Sequence, residues 1–484
     1  MKQIETDVVV IAGGSSGLAA AVTAAENGAR VTVFEKASTT GGAANMAMGL
    51  FAVESRLQRI KQVGLTTDEA FKMFMEYTHW KGDARLIKTY IDRSASTIDW
   101  LEGLGVEFLD VYNHNPGLYY TWHVVKPSSG AFAAGSGGTL VKILTDTARE
   151  LGVKVYMQTP VKKILKQNDR VTGVIAVDAS GEEIKATAKA VIVATGGFGD
   201  NPEMIKERLG FEYGKDFFPH KIPGLAGDGL KMAWEAGAAQ TQIIMHLVGG
   251  GPTIMTGFGF TFNQPNLAVN LLGERFMNEE EMIHNLAFCG NAISRQKDRR
   301  AYIIFDEDAR RYYEDVKVDF PFVGFPVSKA ENFDSELKQA LDGGNENIFV
   351  FNSLDEFIAK TGVDPEGFKK TLERYNKACE TGRDEEFNKK ARFLRPVKKP
   401  KFYAARLFCD GFGTLGGIKI NYKTEALDKE SKAVPGLYAC GSDANSMYGD
   451  TYCYLLSGNT LGFAINSGRM AGESATKYAK SSLN

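Results

Sequence analysis

With 484 residues, 57 basic and 59 acidic side chains and a net charge of −2, the chain is long enough for two or three domains. It lacks the electrostatic footprint of a nucleic-acid partner. No apolar run approaches the roughly 20 residues of a membrane span, and the chain enters a strand pattern without a signal peptide or twin-arginine leader, so a cytoplasmic location and no membrane partner are expected.

The first element is DVVVIAGGSSG (7–17), an apolar run that breaks into glycines. A helix pattern follows (LAAAVTAAENGA), then a second apolar run, VTVFEKA, carrying Glu35. Strand, tight turn, helix, strand and acid is the layout that holds a dinucleotide. Glycine admits a pyrophosphate, the helix start offers N–H groups and a positive dipole end, and Glu35 can accept from ribose hydroxyls. Ala12 stands where GxGxxG has its first glycine, while Gly14 and Gly17 keep the other two places. Alanine is expected to fit there with a negative φ, at slightly poorer turn geometry.

Next, NPGLYYTWHVVKP (115–127) carries Tyr119, Tyr120, Trp122 and His123 in an apparent loop. It reads either as a stacking wall for a flat substrate or as a surface loop anchored by aromatics. Residues 153–193 alternate in β fashion and suggest a meander, ending in the strand-to-turn element VIVATGGFGDN. From about 241 to 411 the texture changes to glycine loops, aromatics and helices such as DPEGFKKTLERYNKACETG, which reads as an inserted domain. EFNKKARFLRPVKKP (386–400) is expected to be a solvated helix end and loop. PGLYACGSDAN (435–445) is another strand-to-turn element, and LSGNTLGFAINSGRMAGESATKYA (456–479) becomes helical.

Five cysteines (Cys289, Cys379, Cys409, Cys440, Cys453) form no CxxC or CxxCH, and six histidines form no HxxxH or HxH pair. Iron–sulfur, c-type haem and zinc-ribbon spacings are therefore missing, no metal site is expected, and the thiols read as reduced and packed.

Together, EKASTTGGAAN (35–45), VIVATGGF (191–198), AGDGLKMAWEAGA (226–238), GERFMNE (273–279) and GTLGG…PGLYACGS (413–442) resemble the flavoprotein family of fumarate reductase, urocanate reductase and 3-ketosteroid dehydrogenase over nearly the whole chain. The resemblance implies an α/β fold: a glutathione-reductase-like, Rossmann-type FAD-binding domain from 1–240 and 412–484, with an inserted α+β capping domain, 241–411. It implies non-covalent FAD, since no histidine lies in residues 35–55. By motif position, Ala12, Gly14, Ser16 and Gly17 would meet the pyrophosphate, and Glu35 and Lys36 the adenosine. Gly41, Gly42, Ala43 and Ala44 would run beside the flavin's linker, with Val161 near adenine and Asp228 near the ribityl chain or ring. Ser442 and Asp443, just after the last strand of that domain, would also meet the cofactor. Asn459, Thr460 and Leu461 would start the final helix and aim N–H groups at flavin N1 and O2.

The fumarate-reducing branch holds a dicarboxylate with arginines and histidine. Here its acid position is Ile283, with His284 next; its HTMGG histidine is Gly413; and DTYCYLLSGN has no arginine. His246 matches a family histidine. Loss of the bidentate clamp argues against fumarate and any small dianion. The replacement is aromatic: Asp450, Tyr452 and Tyr454 in GDTYCY, where ketosteroid dehydrogenases carry a tyrosine at the Tyr452 spacing. A tyrosine there can donate a proton beside the carbon that receives hydride; the alternative for each is a packing aromatic with a satisfied hydroxyl. Tyr452, Tyr454, Asp450, His246, His284 and Tyr120 are the candidate catalytic groups. Arg275 in GERF reads as a structural ion-pair residue.

The resemblance favours an ene-type reductase acting on a neutral, hydrophobic ring-bearing substrate, a steroid or a phenolic or isoflavonoid compound. Tetrahydrodaidzein to equol is one such reaction, and Asp450 or a tyrosine would assist departure of its benzylic hydroxyl. The alternatives are a ketosteroid-type desaturating dehydrogenase and an FAD-containing electron-transfer or binding protein. No second GxGxxG for a nicotinamide is visible, so a soluble electron donor is the expected partner beside the substrate.

Overall fold

The structure, a computed structural model, describes residues 1–114, 117–128, 135–220, 222–252, 256–320 and 328–481. Val8–Ile11, wholly buried, lies between Val31–Phe34 and Ala190–Val193, all parallel. Lys154–Tyr156 extends one side of this sheet and Ala433–Ala439 the other, with Glu425–Leu427 antiparallel at the edge. Strands buried on both faces carry continuous Val and Ile rather than alternation, which is why these short runs were legible.

The helix Ser15–Glu26 covers one face and packs along the final helix, Asn459–Ser481. Small residues permit that approach: a side chain at Gly468 would strike the Ser16 carbonyl, and one at Gly472 the Ala20 carbonyl. Thus the final helix is seated along the first helix, with Gly468 beside Ser16 at the glycine turn.

The expected meander is narrower than 153–193. Val161–Gln167, Arg170–Val177 and Glu183–Thr187 form an antiparallel set, closed by Lys2–Glu5, which runs parallel to Glu183–Thr187. Lys154–Tyr156 and Ala190–Val193 belong instead to the parallel sheet, the first as its partly exposed edge and the second buried on both faces.

A further sheet is built around the long strand Phe402–Ile418. Its first half pairs with Ala301–Asp306 on one edge and Ile348–Phe351 on the other, and its second half pairs with Gln240–Gly250. Phe258, Phe262 and Phe333 pack against the sheet's Phe305 and Tyr403: Phe258 meets Phe262 and Phe333 edge-to-face, Phe333 meets Tyr403 edge-to-face, and Phe305 stacks on Tyr403.

The basic stretch 386–400 is not simply solvated. Lys389 is buried, with Nζ 3.3 Å from Glu279 and 3.0 Å from the Tyr375 hydroxyl. Arg395 pairs with Asp319 at 2.7 Å. The cause is a buried acid: Glu279 and Asp384 both clasp Arg275, whose guanidinium donates to each at 2.8–3.0 Å. One arginine facing two carboxylates recruits Lys389 as a second cation. Arg275 is thus a structural ion-pair residue.

Candidate functional site

At the glycine turn, the helix Ser15–Glu26 starts with neither a side-chain cap nor an acid in its first turn. Its N–H groups and dipole are therefore available to an anion. Gly41 donates to the Gly13 carbonyl at 2.9 Å, and Gly14 bridges Gly41, so the two glycine segments form one backbone cradle. Gly41 and Gly42 have φ of 111° and 50°, open to glycine without strain.

Ala12 adopts φ of 84°, not the negative value expected from sequence. The cause is the turn itself: Ala12 N donates to Phe34 O at 2.8 Å while its carbonyl points at Gly17. A Cβ at Gly17 would fall well inside contact with that carbonyl. Two predictions follow from this clash. Gly17→Ala is expected to purify with little FAD and lose about 1–3 kcal/mol by overpacking. Ala12→Gly relieves about 1–2 kcal/mol of left-handed strain against about 0.5–1 kcal/mol of glycine entropy, so its denaturation midpoint should hold or rise. Flavin absorbance per protein and denaturant titration read both.

Glu35 is buried, and its carboxylate accepts from Gly13 N and Ala37 N, both at 2.7 Å. Thr159 N donates to the Glu35 carbonyl at 2.8 Å, which brings Val161 to the same end of the sheet. Asp228 is elsewhere than expected: it pairs with Lys36 Nζ at 2.8 Å, beside Glu35, and is not in the wall of the cavity described next. The buried Asp443 is likewise turned inward. It accepts from Thr195 N, Thr195 Oγ1 (2.9 Å), Gly196 N (3.1 Å) and Gly197 N (2.8 Å), so it shapes the TGG turn of residues 195–197. Asn459 is buried too, its amide donating to Leu456 O and its Oδ1 accepting from Tyr90 OH at 3.2 Å. Its side chain locks the start of the final helix. Ser16 lies under Gly441, where a Cβ would strike its hydroxyl.

A cavity of about 750 Å³ opens at this helix start, within the range of small-molecule sites. Ser15, Ala43, Ala44, Ser442, Thr460 and Leu461 line the end toward the glycine cradle. Among the described residues its wall holds no arginine or lysine, and its one carboxylate, Asp410, faces His220.

His246, on Gln240–Gly250, stacks on Tyr452 with centroids 3.7 Å apart and planes at 21°. Its Nε2 is 3.2 Å from Tyr454 OH and its Nδ1 3.4 Å from Thr460 Oγ1. Burial, then the neighbouring His114 and His220, push it down to about 3, so it is neutral. Thr460 N donates to Tyr452 OH at 3.4 Å. Burial pushes the Tyr452 phenol up to about 12 despite the Thr460 donors, and holds Tyr454 well above the usual tyrosine range. Both hydroxyls therefore keep their protons.

Three sequence candidates stand outside this wall. Asp450 pairs with Lys81, which holds its carboxyl below the usual range; it anchors the 448–457 loop and is no acid for the cavity. Tyr120 is half exposed under Lys61 Nζ, 5.0 Å from its centroid. His284 lies 3.8 Å from Glu280 and against Phe320. The aromatic segment 115–127 is not a loop throughout: Trp122–Val125 is a buried strand between Gly49–Phe51 and Phe108–Tyr112. Trp122 reaches the cavity, whereas His123 is bonded to Ser55 Oγ at 2.6 Å; positions 115–116 lie outside the described residues.

Sequence reasoning missed His114, His220, Asp410 and Phe412, all in the wall. His114 is 5.3 Å from Tyr454, and burial pushes it down to about 4. His220 Nδ1 is 2.9 Å from Asp410, and its ring stacks on Phe412 at 4.5 Å. One signal was available: an acid inside the apolar run RLFCDGFG is out of pattern for a strand.

Residues 7–461 match the family model described as FAD binding domain. Over 493 residues the chain is 31% identical to the vinyl phenol reductase of Lactiplantibacillus plantarum, covering 98% of this chain and 96% of that one. It is 28% identical over 481 residues to the cytochrome fumarate reductase of Shewanella frigidimarina, covering 98% and 77%. The fold is similar to the solved 3-ketosteroid-Δ4-(5α)-dehydrogenase of Rhodococcus jostii, with TM-score 0.78 at 23% identity and 98% of both chains covered.

Proposed function

The chain belongs to the FAD binding domain family, and we propose that it reduces the C=C bond of a neutral aromatic substrate, with hydroxylated styrene-type phenols as the favoured class. It is an FAD-dependent oxidoreductase of the fumarate reductase and ketosteroid dehydrogenase type. In this reading residues 1–240 and 412–484 hold FAD without a covalent bond, and 241–411 cap it. The uncapped helix start and the Gly13–Gly41 cradle suit a diphosphate, Glu35 and Lys36 suit the adenosine end, and Ala43, Ala44, Thr460 and Leu461 suit the flavin ring. Bound FAD supplies a hydride to the substrate.

The observation that carries the substrate class is the wall: Tyr452 and Tyr454 at the helix start, with no arginine or lysine among the described lining residues. Among the described lining residues a dianion would meet no arginine or lysine to offset its desolvation. A flat neutral ring would instead stack on Phe412, Trp122 and Tyr452. Tyr452, protonated and bonded by Thr460 N, donates the proton to the alkene carbon that does not take the hydride. The vinyl phenol reductase similarity agrees with a phenolic alkene.

The test is anaerobic. Dithionite-reduced holoenzyme is mixed with 4-vinylphenol, tetrahydrodaidzein or fumarate, and flavin absorbance is followed. Reoxidation by a phenolic compound and not by fumarate is expected. Bleaching of the oxidised enzyme by ketosteroids would replace this reading with desaturation.

A further inference from the structure

Three histidines line the cavity, and their partners differ. His246 is engaged at both nitrogens by Tyr454 and Thr460. His114 is packed against Trp122 and Tyr454. His220 has a carboxylate at Nδ1: Asp410 Oδ2 at 2.9 Å and Oδ1 at 3.1 Å. A carboxylate there keeps the proton on Nδ1, leaves a lone pair on Nε2, and stabilises the imidazolium once Nε2 is protonated.

The dyad is held firmly. His220 N donates to Gly411 O and Phe218 N to Cys409 O, both at 3.0 Å, so this segment follows the strand that carries Asp410. The His220 ring lies on Phe412, which meets His246 edge-on at 5.2 Å, and His246 stacks on Tyr452. A base and an acid therefore stand at two places along one aromatic wall, and hydride delivery with a tyrosine donor leaves the base unused.

We infer that His220, held by Asp410, takes the proton from the ring hydroxyl of a para-hydroxylated styrene, so that the hydroxyl is required for reduction. This rests on the phenolic reading above. A plain styrene is a poor hydride acceptor, and the hydroxyl cures that. His220 Nε2 takes the O–H proton, and the electron pair left on oxygen moves through the ring to the terminal vinyl carbon. That carbon forms a C–H bond with the proton leaving Tyr452. The benzylic carbon, now the electron-poor end of a quinone methide, gains the hydride that FAD supplies. The ring oxygen recovers its proton from His220 as aromaticity returns, and Tyr452 is reprotonated from water. The alkene gains two electrons and two protons, and the electrons come from reduced FAD.

Wild-type holoenzyme should reduce 4-vinylphenol at least about 100-fold faster than 4-methoxystyrene, the scale of lost acid–base assistance. At a pH where free 4-nitrophenol is neutral, the bound probe should show its phenolate band. His220→Gln and Asp410→Asn should retain FAD, lose that band, and lose about 100-fold in 4-vinylphenol reduction. Equal rates for the two styrenes overturn the inference and leave the phenolic reading standing, as does a phenolate band that persists in both variants. If wild type reduces neither styrene, the phenolic reading falls and the inference falls with it. The wild-type comparison decides the matter even where a variant does not fold.

Discussion

Tyr452→Phe is expected to slow reduction of the cognate alkene by about 10²–10⁴-fold, the usual contribution of a positioned proton donor, while FAD content stays at the wild-type level. The substitution keeps the ring that stacks on His246 at 3.7 Å and removes the hydroxyl that accepts from Thr460 N. Loss of that one bond should cost only about 0.5–1.5 kcal/mol of stability, so a large fall in turnover cannot come from unfolding. Burial holds the phenol up at about 12, so the donor stays protonated through neutral pH and the wild-type rate should show no loss from its ionisation there. The measurement is single-turnover flavin reoxidation at saturating substrate. A rate within about threefold of wild type would dismiss Tyr452 as the donor and move the role to Tyr454, whose hydroxyl reaches His246 Nε2 at 3.2 Å.

Arg275→Ala is expected to destabilise the protein by about 3–5 kcal/mol, the cost of removing one partner from a buried ion pair. The guanidinium donates to both Glu279 and Asp384, and all three side chains are about 1% exposed or less. Without it, Lys389, 3.3 Å from Glu279, is the remaining buried cation for two carboxylates. Arg275→Lys should restore little, because an ammonium cannot make the two bidentate pairs. The acid limb of stability reports the same cluster. Burial raises the Asp384 carboxyl, but Arg275, with the backbone N–H groups of Lys389 and Glu386, outweighs it and holds it at about 2, below the usual 3.8. A carboxyl lowered in the folded state contributes stability that is present above about 3.8 and is lost as pH falls toward 2. Urea midpoints of wild type and Arg275→Ala across that window should converge as the pH drops.

Legibility in the sequence followed the range of the physics. Val8–Ile11, Val31–Phe34 and Ala190–Val193 were readable because strands buried on both faces need continuous apolar residues, and the glycine turn because only certain residues let a backbone approach a diphosphate. The tyrosine-rich, arginine-free run DTYCYLLSGN was also readable, since it is a matter of residue type in one short segment. His246, Tyr452 and Tyr454, far apart in the chain, do share one wall.

What the sequence by itself determined is therefore the nucleotide fold, the FAD family and an arginine-poor, tyrosine-rich end. Only the tertiary structure decided which polar residues face the cavity. Asp450 sits two residues from Tyr452, yet Lys81, 369 residues away, draws it off. Asp228 goes to Lys36 across 192 residues, and Asp443 turns to three backbone amides. His220 gains Asp410 across 190 residues. A charged or hydrogen-bonding side chain takes its role from the partner that satisfies it, and partners this distant are chosen by the packing of strands and helices, which no local pattern of residues records.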